Sequence, residues 1–324
     1  MPGSLPPSSP RISVVIPTCR RTALLLDCIA SILRNDYADF EILVVDQDPS
    51  QSLKATLAQR FGSKDWLVYL FLDVAALDRA RNLGLERARG QIVVFVDDDV
   101  EVAPGWLRSY DEAFTRVQPT PGIVAGRLSP LWSGERPDWL PEEKEVLLGV
   151  YDLGGELRPM PPGDLPIGAN FAVWRPAAAA AGRFDERLDY SYERRGLLSG
   201  GDSNFALRVR RHYPLYYQPA ARVWHKILAS KLTPRYILRR NFWDGYSLIT
   251  VMHLSDPDTR DKAWTIIRWH AWVITAQLGR LFFPRGRAPR WPDLKLRVQA
   301  LSQCANSLGV IWAMWRLRWT GHLP

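Results

Sequence analysis

Along the first hundred residues, short apolar runs alternate with longer stretches of helical spacing. Residues 11–17, 40–46, 67–72 and 91–96 are rich in Val, Ile, Leu and Phe and read as strands buried on both faces. Residues 22–34, a segment from about 48 to 61, and 75–89 place apolar positions on one helical side, with Pro17 closing the first strand and Gly90 the third helix. This alternation with short connections predicts a parallel α/β sheet that binds a nucleotide across its strand tips.

From about 119 to 168, Pro and Gly are dense and periodicity is weak, so this part reads as a loop-rich connection lining a substrate groove. A strand over 168–174, an alanine-rich helix after Pro176, a helix from 200 to about 211 and two short strands at 213–218 and 221–225 follow. The remainder is helical in pattern, with candidates near 234–252, 259–283 and 293–319. In the middle one, Arg268, His270, Gln277 and Arg280 interrupt the apolar run. It therefore reads as an interfacial or a core helix rather than a membrane-spanning one. No internal repeat is present.

Composition narrows the picture. A chain of 324 residues, 47% hydrophobic and with 14 Trp, is not a disordered protein. Cys19, Cys28 and Cys304 lack metal-site spacing and read as buried thiols of a reducing compartment. Residues 1–10 lack the features of a signal peptide and read as a disordered leader. The net charge of +8 is uneven: from Lys226 onward there are 16 Lys or Arg against 5 Asp or Glu, together with 8 of the 14 Trp. A basic, Trp-rich segment suits an anionic membrane surface or a polyanionic acceptor. A helical bundle is the plainer reading, and no nucleic-acid-binding motif occurs.

The densest chemistry lies in Asp97, Asp98 and Asp99 at the end of the fourth strand. Adjacent carboxylates repel and cannot stay ionised in a dry interior unpaired, so a cation is expected beside them. Mg²⁺ or Mn²⁺ held against a phosphate is one reading; a polar turn with Asp99 capping a helix near Pro104 is the other. The loop after the first strand has no glycine-rich dinucleotide fingerprint and no Walker loop occurs, which disfavours a dehydrogenase or P-loop ATPase.

Several segments in order, 14–20, Val45 with Asp46, 80–84 with 88–90, and 95–99, then 168–171, 182–187 and Gly201 with Asp202, resemble family 2 glycosyltransferases over about residues 11–226. The resemblance implies a GT-A fold, a mixed α/β sheet flanked by helices, here with a helical extension. The division it suggests is 11–118 for the nucleotide half, 119–228 for the acceptor half and 229–324 for the extension. It implies an inverting, nucleotide-diphosphate-sugar-dependent transferase using Mn²⁺ or Mg²⁺. Pro17, Thr18, Arg20, Asp46, Gln47, Arg81 and Asn82 would then surround the nucleotide. Asp97 and Asp98 would meet ribose and metal, and Asp99 would coordinate the cation. His225 falls where many relatives supply another ligand, although a lone His on a strand is also often just a satisfied one. Asp202 resembles the catalytic base, a role that needs a carboxylate facing the acceptor hydroxyl; a plain N-cap uses the same residue type.

Gln47 stands where the family often has a second Asp, and Gly201 where it commonly has Glu. No Gln-x-x-Arg-Trp signature accompanies Arg268, Arg290 or Arg318, so a processive polysaccharide synthase is disfavoured. The expectation is a non-processive transferase, cytoplasmic or peripheral on the cytoplasmic membrane face, acting on a glycan or lipid-linked acceptor. A sugar nucleotidyltransferase and a silent sugar-binding subunit of the same fold are the rivals.

Overall fold

Residues 10–189, 197–282, 293–320 and 323 are described by the computed structural model. In chain order the regular elements begin with β1 (Ile12–Thr18), α1 (Thr22–Ile32), β2 (Phe40–Asp46), α2 (Ser52–Phe61), β3 (Leu67–Phe71), α3 (Leu77–Arg87) and β4 (Ile92–Val96). Then come β5 (Val100–Val102), α4 (Trp106–Arg116), β6 (Ile123–Trp132), β7 (Arg158–Pro159), β8 (Asn170–Trp174), α5 (Arg175–Ala181), α6 (Gly201–Arg210) and β9 (Leu215–Ile227). Three long helices follow, α7 (Pro234–Ser255), α8 (Ala263–Phe282) and α9 (Leu294–Thr320). All but Pro10 of the leader expected at 1–10 lies outside the described residues, as do Phe283 and Arg290.

The strands form one mixed sheet in the order β3-β2-β1-β4-β8-β6-β9-β5, with β7 on β9. β1 runs parallel to β2 and β4, whereas β8 is antiparallel to β4, and β6 to β8. Every residue of β1 and of β4 is buried, which explains why both are continuous apolar runs without alternation. β6 crosses the stretch expected to be a loop-rich connection, and its inner residues are buried by pairing with β8. The two short strands expected at 213–225 are a single strand, β9, with Pro219 between the segments that pair with β7 and β5. Proline lacks the donor a ladder needs, so it is tolerated at such a break.

The chain forms two compact units. One comprises residues 10–129, 152–184 and 205–225 and contains the parallel strands. Its aromatic core joins Phe95 to Phe171 and Phe184, each 5.1 Å away by ring centroid, and stacks Phe184 on Phe205 at 4.2 Å. The other comprises the described residues of 130–151, 185–204 and 226–324 and is built on the three long helices. There α7 and α9 approach closely because each presents a glycine to the other: a Cβ on Gly245 would lie 2.1 Å from the Asn306 carbonyl, and one on Gly309 1.9 Å from that of Phe242. Tyr246, Ile249, Val310, Met314 and Leu317 are buried in this unit. Among the described residues no helix is long and apolar enough to cross a membrane.

Candidate active site

Parallel pairing brings the ends of β1, β2 and β4 to one edge: Thr18 lies opposite Asp46, and the three acidic residues follow directly on β4. Asp98 and Asp99 are each only 3% exposed, and Asp97 is partly buried. Arg21 bridges two of the acids, its Nη1 lying 3.1 Å from Asp98 Oδ1 and 3.1 Å from Asp99 Oδ2. The Thr18 hydroxyl donates to Asp98 Oδ2 at 2.7 Å. Burial and the neighbouring Asp99 charge raise the Asp97 carboxyl above the usual range. Burial also pushes Asp98 up to about 6, against the opposing pull of Arg21 and Thr18.

Arg21 carries this contact although Arg20 was the arginine expected at the nucleotide. The reason is local: Arg20 adopts φ +57°, so the chain turns left-handed there and its side chain, 71% exposed, reaches Asp48 at 3.6 Å. Arg21, the residue before α1, is then turned onto the acids. The sequence does offer a signal, two adjacent arginines in the loop after β1, but the backbone decides which one faces inward.

Asp99 does not cap the helix near Pro104. The residue preceding α4 is Gly105, and β5 intervenes. Pairing of Val100 with His225 across β5 and β9 carries the imidazole to the cluster, where His225 Nε2 lies 3.2 Å from Asp99 Oδ1. Among the described residues, His225 Nδ1 is buried without a hydrogen-bond partner. A buried imidazole beside a buried carboxylate is a donor pair that suits a divalent cation. Among the described residues no group of three or more His, Cys, Asp or Glu is placed to hold a metal ion.

The flanking residues divide into two kinds. Asp46, buried at the end of β2, accepts from the Tyr69 hydroxyl at 2.9 Å and from the Asp48 N–H at 3.0 Å. Gln47 is buried as well, receiving the Ala76 N–H at 2.7 Å and donating to the Thr18 carbonyl. Pro17 is buried opposite Val45. Arg81, 5% exposed, donates to Asp78 at 3.0 Å and lies over the Phe184 ring, and its charge acts on Asp97. Asn82 clamps Phe184: its amide donates to the Phe184 carbonyl at 3.1 Å and accepts the Phe184 N–H at 2.8 Å. Asn170, at the start of β8, ties the layers together, accepting from Trp106 and Tyr110 and donating to the carbonyls of Arg127 and Ala221.

Asp202 belongs to the other compact unit. The Asn204 N–H bonds to the Gly200 carbonyl at 2.8 Å, so Gly200 closes the start of α6 and Asp202 sits inside its first turn rather than at the cap. Gly200 has φ +111°, and a Cβ there would meet Val251 at 2.8 Å, which requires glycine at that point. The Asp202 carboxylate accepts the Ser203 N–H at 2.8 Å.

Residues 13–120 match the sequence model of glycosyl transferase family 2. A glucosyl-dolichyl phosphate glucuronosyltransferase from Haloferax volcanii is 25% identical over 78% of this chain and 80% of its own length. A GalNAc(5)-diNAcBac-PP-undecaprenol β-1,3-glucosyltransferase from Campylobacter jejuni is 36% identical, over 30% of this chain and 32% of its own. The mannosyltransferase from Pyrobaculum calidifontis, solved with GDP-Man and Mn²⁺, superposes with a TM-score of 0.52 at 18% identity, covering 98% of this chain and 77% of that one. The mixed sheet is thus that of the GT-A glycosyltransferases, and the β1-to-α4 segment, which includes the acidic residues after β4, matches the glycosyl transferase family 2 model.

Proposed function

We propose that the protein transfers a single sugar per encounter from a nucleotide-diphosphate donor to a lipid-linked or polysaccharide-precursor acceptor, with inversion at the anomeric carbon. The observation that carries this reading is the buried acidic cluster at the β4 tip, balanced by Arg21 and joined by His225. An interior that holds three carboxylates with two of them raised is built to receive positive charge. Relatives named for dolichyl-phosphate and undecaprenol-linked substrates support the acceptor class.

In this reading Asp99 and His225 hold Mn²⁺ or Mg²⁺, and Asp97 and Asp98 divide contacts to ribose and cation. The chemistry supplied there is neutralisation of charge on the departing diphosphate. Asp46, Gln47, Thr18, Pro17 and Arg81 form the buried wall around the nucleotide, with Arg20 at its exposed rim. Asn82 positions Phe184 beneath that wall. Asp202 acts as general base: the acceptor oxygen bonds to the anomeric carbon, its proton passes to the Asp202 carboxylate, and the bond to the diphosphate breaks.

The test is to incubate the protein with a panel of nucleotide sugars, Mn²⁺ and a polyprenyl-phosphate-linked acceptor, following the anomeric configuration by NMR. Nucleoside diphosphate released in step with a glycoside of opposite configuration is the expected result. Retention of configuration would overturn the inverting mechanism. Pyrophosphate released from a nucleoside triphosphate and a sugar phosphate would identify a nucleotidyltransferase instead.

A further inference from the structure

The helical unit carries two rows of large apolar side chains that its own core does not cover. α8 turns Ala263, Ile266 and Ile267 inward, and His270 contacts Ser307 of α9 at 3.0 Å. Its outer side holds Trp264, Trp269 and Trp272, 58%, 60% and 59% exposed, with Leu278 and with the exposed side chains of Arg268 and Arg280 among them. On α9, Leu294, Leu301, Leu308, Trp312, Trp315 and Trp319 are all exposed. At about 100° per residue these six fall within a strip about 60° wide along the whole helix. Monomeric soluble proteins rarely leave such rows uncovered, so a surface partner is implied.

We infer that the outer face of α8, together with the exposed row of α9, docks on the headgroup layer of an anionic lipid bilayer. Three observations select this occupant. First, from Lys262 to Phe282 the sequence has three Lys or Arg and no Asp or Glu, which complements anionic lipid, where each basic residue near the surface adds attraction. Second, tryptophan interleaved with arginine suits a boundary at which the ring lies at headgroup level while the guanidinium reaches phosphate. Third, the two exposed arginines disfavour a second copy of this chain, because a two-fold contact through α8 would set Arg268 and Arg280 against their own counterparts with no acid on that face. The arginines equally prevent α8 from spanning the bilayer. This inference stands apart from the transfer chemistry proposed above.

Co-sedimentation of the full chain with phosphatidylcholine vesicles, with and without phosphatidylglycerol, tests it, alongside analytical ultracentrifugation without lipid. Binding to the phosphatidylglycerol vesicles is expected, at least about tenfold weaker for pure phosphatidylcholine or in high salt. The double substitutions Trp269→Ser with Trp272→Ser, and Arg268→Gln with Arg280→Gln, should each weaken binding about tenfold or more. Both should leave the melting midpoint and Mn²⁺-dependent nucleotide-sugar binding unchanged, which separates this test from that of the transfer reading. Absence of wild-type binding to anionic vesicles would overturn the inference, as would binding indifferent to all four substitutions. So would a dimer, lost on the tryptophan substitutions, in a protein that ignores lipid.

Discussion

At the tip of β4, Asp98 and Asp99 are almost wholly buried, and like charges are held together by Arg21. On the outer face of α8, Arg268 and Arg280 stand exposed alongside tryptophans that are themselves more than half exposed. Both regions concentrate one sign of charge, yet they handle its cost differently. Buried carboxylates lose hydration, and two of them respond by rising pKa; such a site gains when a cation arrives. Exposed arginines keep their hydration and cost little. What is left unsatisfied on α8 is apolar area, and that calls for a surface rather than an ion.

The contrast can be broken from the chemical side first. Asp202→Asn should lower turnover about a thousandfold or more, within the range for loss of a general base, while donor affinity measured by calorimetry stays unchanged. Asp99→Ala should weaken Mn²⁺-dependent nucleotide-sugar binding about a hundredfold, by loss of a proposed metal ligand, and vesicle binding should be untouched. If either variant altered lipid binding as strongly, the two regions would not be separate devices.

Stability measurements sharpen the comparison further. Asn82→Ala leaves both the N–H and the carbonyl of buried Phe184 without their side-chain partner, and should cost about 2–4 kcal/mol by chemical denaturation. In metal-free protein Asp98 has its folded pKa raised to about 6, above the ordinary value near 3.9. Its contribution to stability is therefore fully present below about pH 4 and is lost as pH rises through about 6, a change of about 2–3 kcal/mol. Saturating Mn²⁺ should remove most of that slope, read as melting midpoint against pH. Arg21→Gln should give the smallest effect, a modest drop in the metal-free midpoint with a larger gain on adding Mn²⁺, because the resident counter-charge is gone.

How much of this was legible in the sequence follows from what each element is buried against. β1, β2 and β4 are covered on both faces, so their apolar runs announce them. β6 was hidden because Pro119, Pro121, Gly122 and Gly126 surround or enter it, and its burial comes from pairing with β8, a long-range contact that no local pattern encodes. Pro219 likewise split β9 on paper. That Asp98 and Asp99 lie buried at a strand tip was legible from their position after a buried strand. The choice of Arg21 over Arg20 was not, since it depends on one left-handed backbone angle. Nor was the use of Asn82 as a clamp on Phe184, 102 residues further along. The exposed row on α9 has a sequence trace, spacings of seven, seven, four, three and four from Leu294 to Trp319. Only the packing of α7 and α8 on the other sides shows that this row is the one left open.

We propose that the β4 tip receives a nucleotide-sugar together with a divalent cation. Isothermal titration of the full chain with a panel of nucleotide sugars, in Mn²⁺ and then in excess EDTA, tests it most directly. At least one donor should bind in Mn²⁺, EDTA should abolish the binding, and Asp99→Ala should reproduce the EDTA result in the presence of Mn²⁺. Donor binding of equal strength with EDTA, or an Asp99→Ala variant that binds like the wild type, would contradict it.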